Sequence, residues 1–375
     1  MTERERLGTR GLSYRLMGDY QQCVKEYGEL IARYSADVTG LNQVALCQSN
    51  LRNWPKALED IRRAVSILPS RTLYRTNLAL YENYAGNFQN GEKEAEAIKE
   101  PSSTSVLALA FSQVGQGRLS EAAETYQKGA TIDARGASRA TSGLADLALY
   151  EGRFSEAVRI LEKGAADDLA SKSPDRAATK LAALAYVRLS QRNNAAAIAA
   201  AERALEHSGI VKIRFLAARI FVETGRIDKA KELAAGLAKQ LPAEPQTYAK
   251  IIQGNLLMKD KDWAGATRAL TEANTILDTW IGHFDLGRAF LESGQFPQAD
   301  GEFDRCIRRR GEALALFLDE DPTYGFLPAA YFYQGRVREA MKSEGFAESY
   351  GEYVKIRGNS TEDPLLPDVR RRTTR

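Results

Sequence analysis

The stretch "GLADLALYEGRFSEAVRILEKGA", residues Gly143–Ala165, places small residues at regular steps, Phe154 just after Gly152, and charges on the remaining positions. It has no His or Cys, and its one Ser has no evident chemical partner. Aligned on Ala157, the pattern returns at Cys23, Ala57, Gly91, Ala122, Ala197, Ala230, Ala266 and Ala299, at steps of 31 to 40 residues. Twelve residues before these nine anchors stand Gly11, Ala45, Ala79, Ala110, Ala145, Ala185, Ala218, Gly254 and Gly287, every one Gly or Ala. Three before come Tyr20, Trp54, Phe88, Leu119, Phe154, Asn194, Ile227, Trp263 and Phe296, of which Asn194 alone is polar. Five before, six of the nine are Gly: Gly18, Gly86, Gly117, Gly152, Gly225 and Gly294.

Each unit therefore reads as two antiparallel helices joined by a short turn. The Gly supplies the left-handed residue that ends the first helix. The two small positions let the helices approach closely where they cross, and the aromatic fills the wedge between them. Side chains four and seven beyond the anchor, such as Tyr126, Leu161, Phe303, Leu30 and Leu237, are expected to pack into the next unit. One helix pair cannot bury its apolar face alone, so the units must stack. The expected fold is all-α, a right-handed α-solenoid of about nine to ten helix pairs. It should span residues 1–357, with a long insertion around 308–328 and an irregular last repeat at 329–357 built on Gly335, Phe346, Ser349 and Tyr353. A flexible basic tail, 358–375, carries Pro364 and Pro367.

The period and register resemble the tetratricopeptide repeat, and Pro69 and Pro242 match that family's helix-end prolines. "GLADLALYEGRFSEAVRILEKGA", "VKIRFLAARIFVETG", "DTWIGHFDLGRAFLESGQF" and "RRRGEALALFLDEDPTYGFLP" resemble, more narrowly, the repeat regions that follow a eukaryotic-type Ser/Thr kinase domain in bacterial proteins. The kinase itself is absent: there is no Gly-rich loop with a VAIK-like lysine, no HRD and no DFG. "GQGRLS" (Gly115–Ser120) falls on a repeat turn with no strand before it. The resemblance thus implies a partner-binding scaffold in bacterial signalling, either free-standing or a regulatory module acting with a separate Ser/Thr kinase.

The 52 Lys and Arg nearly balance 49 Asp and Glu, for a formal net charge of +3. That balance argues against a nucleic-acid partner, so helical-repeat RNA binding stands only as an alternative. No apolar run is long enough to cross a membrane, and "MTERERLGTRG" has no apolar core of a secretory signal. Cys23, Cys47 and Cys306, odd in number and widely spaced, are expected to be reduced thiols, which fits the cytoplasm. With His207 and His283 they make no metal-ligand spacing, so no metal, cofactor or catalysis is expected.

Solenoids of this kind bind along a concave face lined by first helices. The residue after the small position runs Leu12, Leu46, Leu80, Phe111, Asp146, Tyr186, Arg219, Asn255, Arg288, Arg336, from apolar to cationic. Three before the small position, Asn42, Phe215, Phe284 and Phe332 add to that face. The candidate partner-binding set is Asn42, Leu46, Leu80, Phe111, Asp146, Tyr186, Phe215, Arg219, Asn255, Phe284, Arg288, Phe332 and Arg336. It suits a protein or extended peptide with an apolar anchor and, further along, acidic or phosphorylated side chains that Arg grips bidentately. The competing reading pairs these arginines with Glu223, Glu292 and Glu339 and packs the apolar row between adjacent first helices. Basic "DRCIRRRG" (Asp304–Gly311) and acidic "LDEDP" (Leu318–Pro322) are expected to neutralise one another.

Overall fold

The computed structural model describes residues 1–373, and every regular element among them is helical. Thr374 and Arg375, the end of the expected tail, lie outside the described residues. The first helices are α1 (Glu3–Leu16), α2 (Tyr20–Arg33), α3 (Val38–Asn50), α4 (Trp54–Ile67), α5 (Thr72–Tyr84), α6 (Phe88–Glu96), α7 (Ser103–Gly115) and α8 (Leu119–Ala130). Then come α9 (Ala134–Tyr150), α10 (Phe154–Ala170), α11 (Pro174–Ser190), α12 (Asn194–His207), α13 (Val211–Glu223), α14 (Ile227–Ala238) and α15 (Ala243–Lys259). The last are α16 (Trp263–Ile276), α17 (Trp280–Glu292), α18 (Phe296–Arg308), α19 (Pro328–Ala340), α20 (Phe346–Arg357) and α21 (Leu366–Thr373). Two 3-10 turns, Glu312–Ala315 and Tyr324–Phe326, sit between α18 and α19. The chain divides into two compact units, residues 1–136 with 241–244, and residues 137–240 with 245 onward. Within each, successive helices pack against one another, the stacking of an α-solenoid.

The repeat register decides where helices break. All nine residues three before the anchors are the first residues of second helices, Tyr20 through Phe296, and Phe346 opens α20 in the same way. The six turn glycines have φ between 74° and 85°. In the three units that lack Gly there, Arg52, Arg192 and Lys261 adopt the same conformation at φ 59–60°. The turn is thus set by the stacking of its helices, and the non-Gly residue bears a local strain. Lys261→Gly should raise stability by about 1 kcal/mol, whereas Gly225→Ala, whose added Cβ would meet nothing within 4 Å, should lower it by a similar amount. Urea titration of both variants checks this; equal midpoints would mean that the turn carries no strain.

The small residues are close contacts. A Cβ on Gly254 would lie 2.5 Å from Leu270, and one on Gly11 2.6 Å from Tyr27. Leu270 and Tyr27 stand four beyond their anchors, so that position packs within its own pair rather than into the next unit. The position seven beyond does reach the next pair: Leu30 lies 2.5 Å from where a Cβ on Gly40 would be.

Two expectations are corrected. Cys23 of α2 and Cys47 of α3 are not reduced but joined in a disulfide, with Cα atoms 6.2 Å apart. Both fall on the buried seam between successive helices, which chain spacing does not reveal. The cytoplasmic assignment loses the support of reduced thiols; no described helix is long and apolar enough to cross a membrane. The bridge closes a 24-residue separation, and reducing it should cost about 3 kcal/mol. A reductant that leaves the unfolding midpoint unchanged would contradict this. The tail is also ordered where it was expected to be flexible: α21 buries Leu366 and Val369. Pro367 falls in its first turn, where proline is compatible with a helix.

Candidate functional site

The second unit closes on itself. Arg357 at the end of α20 donates to the carbonyls of Leu149 and Tyr150, each at 3.2 Å, and Ser360 donates to Gly152 at 2.7 Å. Glu362 accepts from the amide and hydroxyl of Ser155. The last helices of this unit therefore meet the turn between α9 and α10, and the first-helix face is enclosed. Two features occupy the enclosure, a strap and a cavity.

The strap is Leu316–Phe326, from the expected insertion. Its acids do not neutralise the neighbouring basic run. Asp319 and Asp321 pair with Lys212 of α13, and Glu320 pairs with Arg139 of α9. The Arg309 guanidinium instead holds Asp278 and Glu312. The amides of Tyr324 and Gly325 donate to the Asp146 carboxylate at 2.8 and 2.9 Å. Phe326 stacks on Tyr186 with centroids 4.1 Å apart, and Phe317 meets Phe215 and Tyr248 edge-on. Leu318 and Glu320 are non-Gly residues at φ 52° and 67°. The strap is thus held in a strained conformation by the contacts around it.

Burial pushes the Asp146 carboxyl up to about 7, against the lowering effect of the two amides. Burial and the adjacent Asp321 raise Asp319 to about 6, although Lys212 lowers it. Burial favours a neutral Lys212, but the two aspartates outweigh it and hold the ammonium charged.

The cavity, about 290 Å³, lies between the strap and the C-terminal helices. Arg219 and Arg288 share the fully buried Asp285 carboxylate, and Arg288 also reaches Glu223 at 2.9 Å. Asn255 donates to Asp285 at 2.9 Å. Burial alone would raise Glu223, but Arg288 and Lys259 pull it down to about 2. Phe284, Phe332 and Tyr333 form aromatic walls, with Arg288 5.8 Å from the centre of the Tyr333 ring. No three His, Cys, Asp or Glu side chains among the described residues converge to hold a metal ion.

The expected face is thus divided. Tyr186, Arg219, Asn255, Phe284, Arg288 and Phe332 converge on the cavity, and Asp146 and Phe215 lie under the strap. Arg336 is half exposed, paired with Glu292 and lying over Tyr333. In the first unit the apolar row is mostly no open groove: Leu12 is exposed, but Leu80 and Phe111 are buried, Leu46 is half-buried, and Asn42 is buried and accepts from Asn77. There the packing alternative holds, because adjacent first helices touch; α5 packs directly on α7. The pairing alternative holds for Glu223 and Glu292, whereas Glu339 takes Arg372 and Tyr350. Asp285, Arg357, Tyr333 and the strap were missed.

Residues 10–36 and 182–245 each match a tetratricopeptide-repeat family. No curated protein matches the sequence. Among solved structures, the chain is similar to the human IFIT1 dimer with PPP-AAAA at 16% identity and TM-score 0.44, over 96% of this chain and 87% of that one. It is similar to yeast Tom70 at 11% identity and TM-score 0.33, over 99% and 95%. The Cut9–Hcn1 hetero-tetramer of APC/C aligns at 10% identity and TM-score 0.39, over 100% and 91%.

Proposed function

We propose that this chain, a tetratricopeptide-repeat protein, is a non-catalytic scaffold that holds an acidic, aromatic segment of a partner protein on the first-helix face of its second unit. One observation carries the reading: that face already seats such a segment, the chain's own Leu316–Phe326. The seated chemistry is specific. Carboxylates meet Lys212 and Arg139, rings meet Tyr186 and Phe215, and backbone amides meet Asp146. A partner segment with the same spacing would displace the strap, and the left-handed Leu318 and Glu320 lower the cost of its leaving. A role in bacterial signalling beside a separate Ser/Thr kinase rests on the four resembling stretches, and co-purification with a kinase tests it.

The direct test uses a fluorescent peptide of residues 316–326 and the variant Gly325→Leu. A Cβ at Gly325 would meet Leu149 at 2.6 Å, so the variant lifts the strap and leaves the face intact. Anisotropy should detect peptide binding to Gly325→Leu, at least about tenfold weaker binding to the wild type, and loss on adding Lys212→Glu. If neither the variant nor the wild type binds the peptide, the proposal fails.

A further inference from the structure

We propose that the cavity of the second unit is a binding site for a small planar aromatic anion that carries an N–H or O–H donor. Three independent features of its lining point to that ligand. The first is charge. Arg219 and Arg288 share Asp285, Arg288 and Lys259 share Glu223, and Arg357 takes Asp363. Arg192 lines the cavity and has no acid partner among the described residues. Four guanidiniums thus line the cavity against three carboxylates, and Lys259, which does not line it, also draws on Glu223. A guanidinium has five N–H donors, and these pairs leave some of them unused. The second is an orphaned acceptor. The Asn255 amide nitrogen is committed to Asp285, which fixes the orientation of the side chain. Its Oδ1 is then buried with no donor, although the residue is only 5% exposed. A water could satisfy Asn255, but it would leave the cation excess in place. The third is shape. Phe284 and Phe332 stand edge-on to Tyr333, at 5.7 and 5.3 Å between ring centroids. Such walls favour a flat ring over a bare inorganic anion.

Size narrows the class. The 290 Å³ corresponds to about ten water molecules. That admits an aromatic carboxylate or a nucleoside monophosphate and excludes a long polyanion. The inference does not rest on the partner reading: the cations come from the helices and their turns, although Phe326 of the strap forms part of the cavity wall.

Calorimetric titration of the full chain with 4-hydroxybenzoate, indole-3-acetate and adenosine 5′-monophosphate tests it. The neutral 4-hydroxybenzamide, indole-3-ethanol and adenosine serve as comparators. At least one anion should bind, with its neutral counterpart at least about tenfold weaker. Ala329→Trp fills the cavity without removing a charge and should abolish binding. Arg192→Ala removes an exposed, unpaired cation, so the fold survives, and should weaken binding several-fold. No binding by any of the three anions, or equal affinity for anion and neutral analogue, would overturn the proposal. Binding untouched by both substitutions would place the ligand elsewhere and overturn it as well. None of these results bears on peptide capture by Gly325→Leu.

Discussion

Replacing Asp285 by Ala is expected to lower the stability of the second unit by about 3–5 kcal/mol. The carboxylate is fully buried and holds Arg219 through two hydrogen bonds, Arg288 through one and Asn255 through another. Removing it leaves two largely buried guanidiniums without their shared counter-ion, with Glu223 as the remaining acid for Arg288. Arg336→Ala is the control. Its partner Glu292 is 3.5 Å away and both side chains are roughly half exposed, so its loss should cost under about 1 kcal/mol. Urea unfolding followed by the fluorescence of Trp263 and Trp280, both in this unit, reads the difference. Equal midpoints for Asp285→Ala and Arg336→Ala would show that Asp285 is not the common counter-ion of the cavity.

The helices and their breaks were legible because packing writes them locally. Each pair needs two small residues twelve apart and a ring at the start of its second helix, and each leaves its mark on the chain. Even the turns without Gly could be placed, since Arg52, Arg192 and Lys261 occupy the position that the register reserves for a left-handed residue. The change from apolar to cationic along the row has a structural counterpart, for four of its members, Tyr186, Arg219, Asn255 and Arg288, line one cavity. Long-range closure was not legible. The acids of "LDEDP" lie close in sequence to "DRCIRRRG", yet they pair with Lys212 and Arg139, more than a hundred residues away. Asp285 gave a signal that could have been used, a carboxylate inside the apolar run "WIGHFDLGRAF". It stands two before Gly287, about 60° round the helix from the row at one after it. The disulfide was missed for a similar reason, since a bridge depends on where two helix faces meet and not on the spacing of cysteines.

Removing the Asp146 carboxylate should free the strap. Asp146→Ala leaves the amides of Tyr324 and Gly325 without an acceptor in a buried place. At about 1–3 kcal/mol for each stranded donor, the substitution should cost about 2–6 kcal/mol. Limited proteolysis within 316–327 should accelerate before the rest of the unit unfolds. The same carboxyl makes the hold pH-dependent. Its pKa is about 7 with the strap in place, and it should return to about 3.9 once exposed. Between those values the strapped state binds more protons than the released state, so rising pH weakens the hold, and above 7 the dependence flattens. Asp319, raised to about 6, acts in the same direction. The unit's stability, apart from the strap, follows the same direction through His283, whose pKa is raised: burial works against the imidazolium, but Asp278 and Glu302 outweigh it. The stability it contributes is present below its ordinary value and lost as pH rises through the raised one. Asp146→Asn isolates the strap's share. It cannot titrate, so between pH 5 and 7 it should lose less stability than the wild type, while the His283 and Asp319 contributions remain. Parallel slopes in the two proteins would mean that Asp146 stays ionised throughout, and that the strap is held by its rings and its salt bridges alone.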